Sequence, residues 1–262
     1  MTKKFLILAS IWSILSANEE ILNIHKKFKL SKTPSATIDI KEKKILVTID
    51  GNSFKLKDAP LLEEIKETVS IVGKESIIVI DDYNFDGYND IGIANAVGYG
   101  GVNIFRNYYF YEPKDKSFHN YLKDVGTLEI EGKTLSSTVK SGPFYYQVQY
   151  EIIDNKPYKK LEKKLLFDIL GISDIVQQFD TKGKVIKNYF DPEYLTILSE
   201  KAYFYNKPKD SEKTKVYVIK GDKVKVIDTE ESYSWVKIEY KSKKRVYKKW
   251  IKVDAIQDSK DH

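Results

Sequence analysis

The 262-residue sequence predicts a mainly β protein: a β-sandwich or meander followed by a small barrel. Three observations carry that expectation. Nineteen tyrosines and twelve phenylalanines stand among many Val, Ile and Thr residues, types that pack well on a pleated surface. Most of the chain breaks into short alternating segments bounded by Gly, Asn and Asp, the spacing expected of sandwiches, meanders and barrels. Only one segment has clear helical periodicity.

The elements follow in order. ATIDI and KILVTID, within residues 36–58, read as two strands, with Ile45, Val47 and Ile49 alternating toward a core. A turn at Gly51-Asn52 leads back through SFKLK. Pro60–Val72 is the helix, with Leu61, Leu62, Ile65 and Val69 at helical spacing and Pro60 as a start signal. Ile77–Ile80 is a strand running into a carboxylate-rich turn, and a second strand leaves through Ile91 and Ile93. NIFRNYYFYEP is a tyrosine-rich strand that turns at Lys114–Lys116. Residues 127–190 supply TLEIEG, TLSSTVK, YYQVQYEII, KLEKKLLFDI, DIVQQFD and KVIKNYF, with turns at Gly132-Lys133, Asp154-Asn155 and Thr181-Lys182-Gly183. A boundary is expected near Tyr194–Glu200, separating a domain of residues 18–196 from a smaller one of residues 200–258.

Residues 1–17 read as an address. Lys3 and Lys4 form a positive start, Phe5 to Leu15 is apolar, and Ser16-Ala17 offers small residues for cleavage before Asn18. That is the layout of a secretory signal peptide, and the apolar stretch is too short to span a membrane. Leu15 at the −3 position leaves the cut site open. The sequence contains no cysteine, so there is no lipidation site, disulfide, zinc–thiolate site or cysteine nucleophile. The mature protein is expected to be soluble and periplasmic.

The net charge of +6 is uneven. Residues 200–262 hold 17 Lys/Arg against 11 Asp/Glu, so the basic character belongs to the last quarter. A basic module meets anionic partners, and charge alone does not choose among them. Export disfavours nucleic acid, leaving an anionic wall, lipid headgroups or an acidic partner. Catalytic signals are few. The three histidines, His25, His119 and His262, lie far apart, and no metal-protease, nucleophile-elbow or phosphate-loop motif occurs. The expectation is a protein that is not an enzyme, with a cell-wall hydrolase as the remaining alternative.

Asp82–Asp90 reads D-x-N-x-D-G-x-x-D. Oxygens at positions 1, 3 and 5 converge when the chain curls around a hard cation, position 7 offers its backbone carbonyl, and glycine at position 6 permits the turn. Those are Asp82, Asn84, Asp86, the Tyr88 carbonyl and Gly87, with Asp90 at position 9 expected to close the metal site directly or through water. The twelfth position is Ile93 rather than glutamate, so this is not a complete EF-hand. The expected cofactor is Ca2+, structural rather than catalytic. A polar turn using Asp and Asn for its own hydrogen bonds is the plainer reading.

With the Asn95–Asn103 glycine-rich turn and the strand NYYFYEPKDKSFHNY after it, this loop resembles that of a family of bacterial periplasmic calcium-loop proteins, some of which inhibit lysozyme. The resemblance covers roughly residues 36–190. It implies that a protruding loop enters the hydrolase cleft; the matching positions are Gly98, Tyr99, Gly100 and Gly101. The glycines are expected to lie outside any regular strand.

Residues 202–256 resemble bacterial SH3 domains in four places: a first strand ending before Pro208, the turn Lys220-Gly221-Asp222, Trp235-Val236-Lys237-Ile238, and a closing Trp250-Ile251. Val224, Val226, Val236, Ile238 and Ile251 are expected inward. Such modules often bind cell-wall peptides or proteins, so Tyr203, Tyr205, Tyr233 and Trp250 are candidates for an aromatic groove. Trp235 is read as core. The run Lys241–Lys252, with seven cations in twelve residues, reads as a solvated hairpin. Together these readings describe an exported binding protein whose partner is a peptidoglycan hydrolase, or peptidoglycan itself.

Overall fold

The structure, a computed structural model, describes residues 22–32, 35–41 and 44–256. The expected signal peptide, residues 1–17, lies outside the described residues. The protein is mainly β, built of antiparallel sheets, and divides into two compact units between Val125 and Gly126. No helix among the described residues is long and apolar enough to cross a membrane.

The first unit opens with a four-stranded meander: β1 (Asn23–Lys29), β2 (Ser35–Lys41), β3 (Lys44–Ile49) and β4 (Asn52–Lys55), paired in that order. Alternation decides its faces, with Ala36, Ile38 and Ile40 of β2 and Ile45, Val47 and Ile49 of β3 all buried. The β3–β4 turn sits one residue earlier than expected. Ile49 already pairs with Asn52, and Asp50 and Gly51 carry φ of 50° and 80°. An Asp-Gly pair with both φ positive matches the right-handed twist of its strands.

Helix α1 (Leu62–Val72) follows. The Glu64 carboxylate accepts the Leu61 N–H at 2.9 Å, satisfying one donor at the helix start, and the helix buries Ile65 and Thr68. The second sheet is β5 (Ile78–Asp81), β6 (Asp90–Gly98), β7 (Asn103–Glu112) and β8 (Ser117–Gly126), again in sequence order. One face of it (Ile91, Ile93, Tyr109, Tyr111 and Phe118) shares a single core with β2, β3 and α1. On the other face Tyr108 lies directly over Gly92. A Cβ at Gly92 would come within 2.5 Å of Val79 and 2.8 Å of Tyr108, so only glycine fits there.

The second unit contains two six-stranded sheets. One is a meander of β9 (Leu128–Glu131), β10 (Thr134–Ser141), β11 (Phe144–Ile153), β12 (Lys156–Leu165), β13 (Asp174–Phe179) and β14 (Val185–Asp191), with the short helix α2 (Phe167–Leu170) between β12 and β13. The other comprises β15 (Tyr194–Thr196), β16 (Lys201–Tyr205), β17 (Lys213–Ile219), β18 (Lys223–Thr229), β19 (Trp235–Lys241) and β20 (Val246–Lys252), in the order β15-β18-β19-β20-β16-β17.

Two expectations change here. The carboxy-terminal strands do not close into a barrel: β15 pairs only with β18, and β17 only with β16, leaving both as edges. The compact units also do not follow the limits 18–196 and 200–258. Leu166 and Ile172, which flank α2, are buried with Val224, Val226, Val236, Ile238 and Ile251, so the meander β9–β14 shares its core with the carboxy-terminal sheet.

Candidate calcium loop and recognition surfaces

Asp81 ends β5 and pairs with Asp90, which begins β6, so Asp82–Asn89 forms the turn between two strands. Phe85 and Gly87, with φ of 63° and 89°, bend the chain back on itself. The polar side chains then turn inward. Asp82 accepts the N–H of Asp86 at 3.1 Å through Oδ1 and that of Gly87 at 2.8 Å through Oδ2. Asn84 Oδ1 accepts the Asp86 N–H at 3.2 Å, and its Nδ2 donates to Asp86 Oδ2 at 3.0 Å. Asp86 Oδ1 accepts the Tyr88 N–H at 2.9 Å.

Asp90 sits beneath this curl and is 0% exposed. Its oxygens accept the N–H groups of Tyr83 and Tyr111, each at 2.9 Å. Burial pushes the Asp90 carboxyl well above the usual range; the two N–H donors oppose that, and the like charges of Asp86 and Asp82 add to it. Asp86 is also raised, by burial first, with Asp82 and Glu112 as the neighbouring charges. Glu112 was not singled out in the sequence. It ends β7, next to the Tyr111 whose N–H is held by Asp90, and accepts the Tyr121 hydroxyl at 2.9 Å. Only strand pairing brings it near the loop.

Asn89, which has no role in the motif, anchors the loop. Its side-chain amide donates to the Lys29 carbonyl at 2.7 Å and its backbone N–H to the Leu30 carbonyl at 2.6 Å. The donor set of Asp82, Asn84 and Asp86 side chains with the Tyr88 carbonyl is hard oxygen chemistry of the kind Ca2+ takes. Among the described residues, however, no three His, Asp or Glu side chains converge closely enough to hold an ion by themselves. The loop oxygens are instead satisfied by the loop's own N–H groups.

The candidate recognition loop leaves β6 directly. Gly98 is not outside the strand as expected: it is the last residue of β6, in extended geometry, and pairs with Asn103. The turn proper is Tyr99, Gly100 and Gly101, with φ of 51°, 64° and 99°. Gly101 lies against Ile71 and Val72 of α1. Tyr99 and Val102 are 53% and 62% exposed, and Ile71 beside them 52%.

In the carboxy-terminal sheet, Ala202 and Phe204 point into the core, whereas Tyr203 and Tyr205 lie on the other face, Tyr203 half-buried and Tyr205 buried. Tyr205 pairs directly with Trp250. Trp235 is a correction: it is half-buried on the outer face, where its ring meets that of Tyr205 edge-on at 4.7 Å and 79°. Core or surface turns on a one-residue alternation, and Val236 and Ile238 take the inward positions. Tyr217 joins the outer face from β17, its ring 5.6 Å from that of Tyr203. Tyr233 is elsewhere. Its ring packs on Phe144 and its hydroxyl accepts the Lys164 ammonium at 2.7 Å, while Lys164 also lies 4.2 Å from the Phe144 ring centre. That half-buried lysine contact was not legible from the sequence.

His119 lies between Ser117 and Asp115, at 3.0 and 2.8 Å. Both contacts fall on Nε2, so the three groups do not form a relay through two ring nitrogens.

No protein-family model and no curated protein matches the chain. A solved structure titled a Xanthomonas type IV secretion system related protein is similar at 13% identity and a TM-score of 0.40, over 64% of this chain and 98% of that one.

Proposed function

We propose that this protein is an exported, calcium-stabilised binding protein of the cell envelope, without enzymatic activity, and that Gly98–Gly101 contacts a peptidoglycan hydrolase of the lysozyme or amidase type. The observation that carries the proposal is a rigid support beneath an apolar tip. The acidic loop and the Tyr99 turn sit at opposite ends of the same strand, β6, and the turn presents Tyr99 and Val102 beside Ile71. Exposed aromatic and aliphatic anchors on a fixed frame are the usual centre of a protein contact.

Asp82, Asn84, Asp86 and the Tyr88 carbonyl are the residues to hold the calcium ion, over the buried charge of Asp90. The ion supplies positive charge to a cluster whose neighbours are like-charged. Excess purified protein should slow lysozyme or amidase turnover, and Tyr99→Ala should relieve the inhibition. Unchanged turnover with both enzymes sinks the proposal.

A second reading has its own observation, the aromatic and lysine-rich outer face of the carboxy-terminal sheet. On this reading the sheet tethers the protein to peptidoglycan. Retention on purified sacculi that survives Trp250→Ala counts against it.

A further inference from the structure

The outward face of β19, β20, β16 and β17 is a ladder in which aromatic rings and lysines alternate. Trp235 lies opposite Lys252, and Lys237 opposite Trp250. In each pair the ammonium sits over the ring, at 5.3 and 5.7 Å from its centre. The second pair extends sideways through Tyr205 to Lys213, making one row across four strands. At the ordinary strand spacing that row is roughly 14 Å long, with a lysine at each end, the half-buried Trp250 ring between them and the buried Tyr205 ring beneath it in support. One step along, Lys213 lies 3.8 Å from the Tyr203 ring and Lys201 4.9 Å from that of Tyr217. The acids nearby, Glu239 and Asp210, pair with Lys248 and Lys252. The lysines outnumber them.

From this juxtaposition we infer that the face binds a linear polysaccharide that carries carboxylates. The uncovered edges of the half-buried Trp235 and Trp250 rings suit the apolar C–H groups of pyranose units, and the lysines lying over those rings meet the carboxylates. A single-stranded nucleic acid needs ring planes open for base stacking. Here Tyr205 is buried, its contact with Trp235 is edge-on, and lysines cap both tryptophans. A membrane surface needs protruding apolar side chains at the contact; the exposed ones on these strands, Tyr217, Ile219 and Val246, lie outside the row. The inference deepens the tethering reading by naming a ligand class, and rests on it only in assigning the contact to this sheet.

Two of the three tryptophans, Trp235 and Trp250, lie on the face, so tryptophan emission of the full chain reports on it. The probe is a size-defined oligogalacturonate, with a neutral maltooligosaccharide, an oligothymidylate and phosphatidylglycerol vesicles as comparators. The expected result is a saturable emission change with oligogalacturonate, with log affinity falling linearly with log salt. Lys237→Glu and Lys213→Glu, with folding checked by the melting temperature because each also loses a cation–π contact, should each weaken binding by roughly fivefold, the scale of one exposed ion pair. Tyr99→Ala should change nothing. No saturable change with oligogalacturonate, or binding of any comparator as tightly, overturns the inference, as does binding unmoved by both lysine reversals. Protein that stays on sacculi yet ignores oligogalacturonate loses this inference alone. Protein that binds oligogalacturonate but not sacculi keeps it and loses the tether.

Discussion

Replacing Asp90 by alanine removes the only acceptors for two buried backbone donors. Asp90 is wholly buried, and its two oxygens take the N–H groups of Tyr83 and Tyr111 at 2.9 Å each. A buried donor left without a partner costs about 1–3 kcal/mol, so the pair amounts to roughly 2–6 kcal/mol. Part of this is offset, because the substitution also removes a desolvated charge that sits near Asp86 and Asp82. A net loss of about 3 kcal/mol, in a unit of this size, lowers its melting temperature on the order of 10 °C. Differential scanning calorimetry of the full chain in EDTA measures it directly. The control is Asp81→Ala: Asp81 is exposed and accepts only the adjacent Asp82 N–H, so its loss should cost little. A shift of about 2 °C or less for Asp90→Ala, or an equal shift for both variants, refutes the assignment of Asp90 as the buried anchor.

Three further outcomes follow from the same geometry. Calcium should raise the melting temperature, and Asp86→Ala should abolish the rise; identical melting curves in calcium and in EDTA remove the metal from the proposal. Gly92→Ala should destabilise by about 1–3 kcal/mol, because its methyl group meets Val79 and Tyr108 in a packed interior, and a wild-type denaturation midpoint would contradict that packing. Glu230 gives a pH signature. Burial raises its pKa, but hydrogen bonds from Ser232, Ser234 and Trp235 outweigh this, and the net shift is downward. A depressed folded pKa stabilises above the ordinary glutamate value, and that stabilisation is lost as pH falls through the folded value. Glu230→Gln should therefore lose stability at neutral pH and show a flatter acid limb than the wild type; parallel limbs would argue against the turn carboxylate.

The local periods carried much of this molecule. The alternation of Ile45, Val47 and Ile49, the Leu62–Val72 helix and the inward set Val224, Val226, Val236, Ile238 and Ile251 were all legible, because a side chain's direction along a strand or helix depends on local geometry alone. The curl of Asp82–Asp90 was legible for the same reason, since the hydrogen bonds accepted by Asp82, Asn84 and Asp86 lie within the loop. What the sequence could not reveal depends on which strands lie beside one another. Glu112 reaches the acidic loop only through the pairing of β6 with β7, and Asn89 matters only because β1 offers the carbonyl of Lys29. Gly98 joined its strand because Asn103 pairs with it, although glycine alone argues for a loop. Trp235 shows the limit most clearly. An apolar ring reads as core, yet Val236 and Ile238 take the inward positions and turn it outward toward Tyr205, Lys252 and the rest of the ladder. Sequence periodicity determined the strands and their faces. Tertiary pairing decided which faces met, because that choice depends on residues far apart in the chain sharing one core.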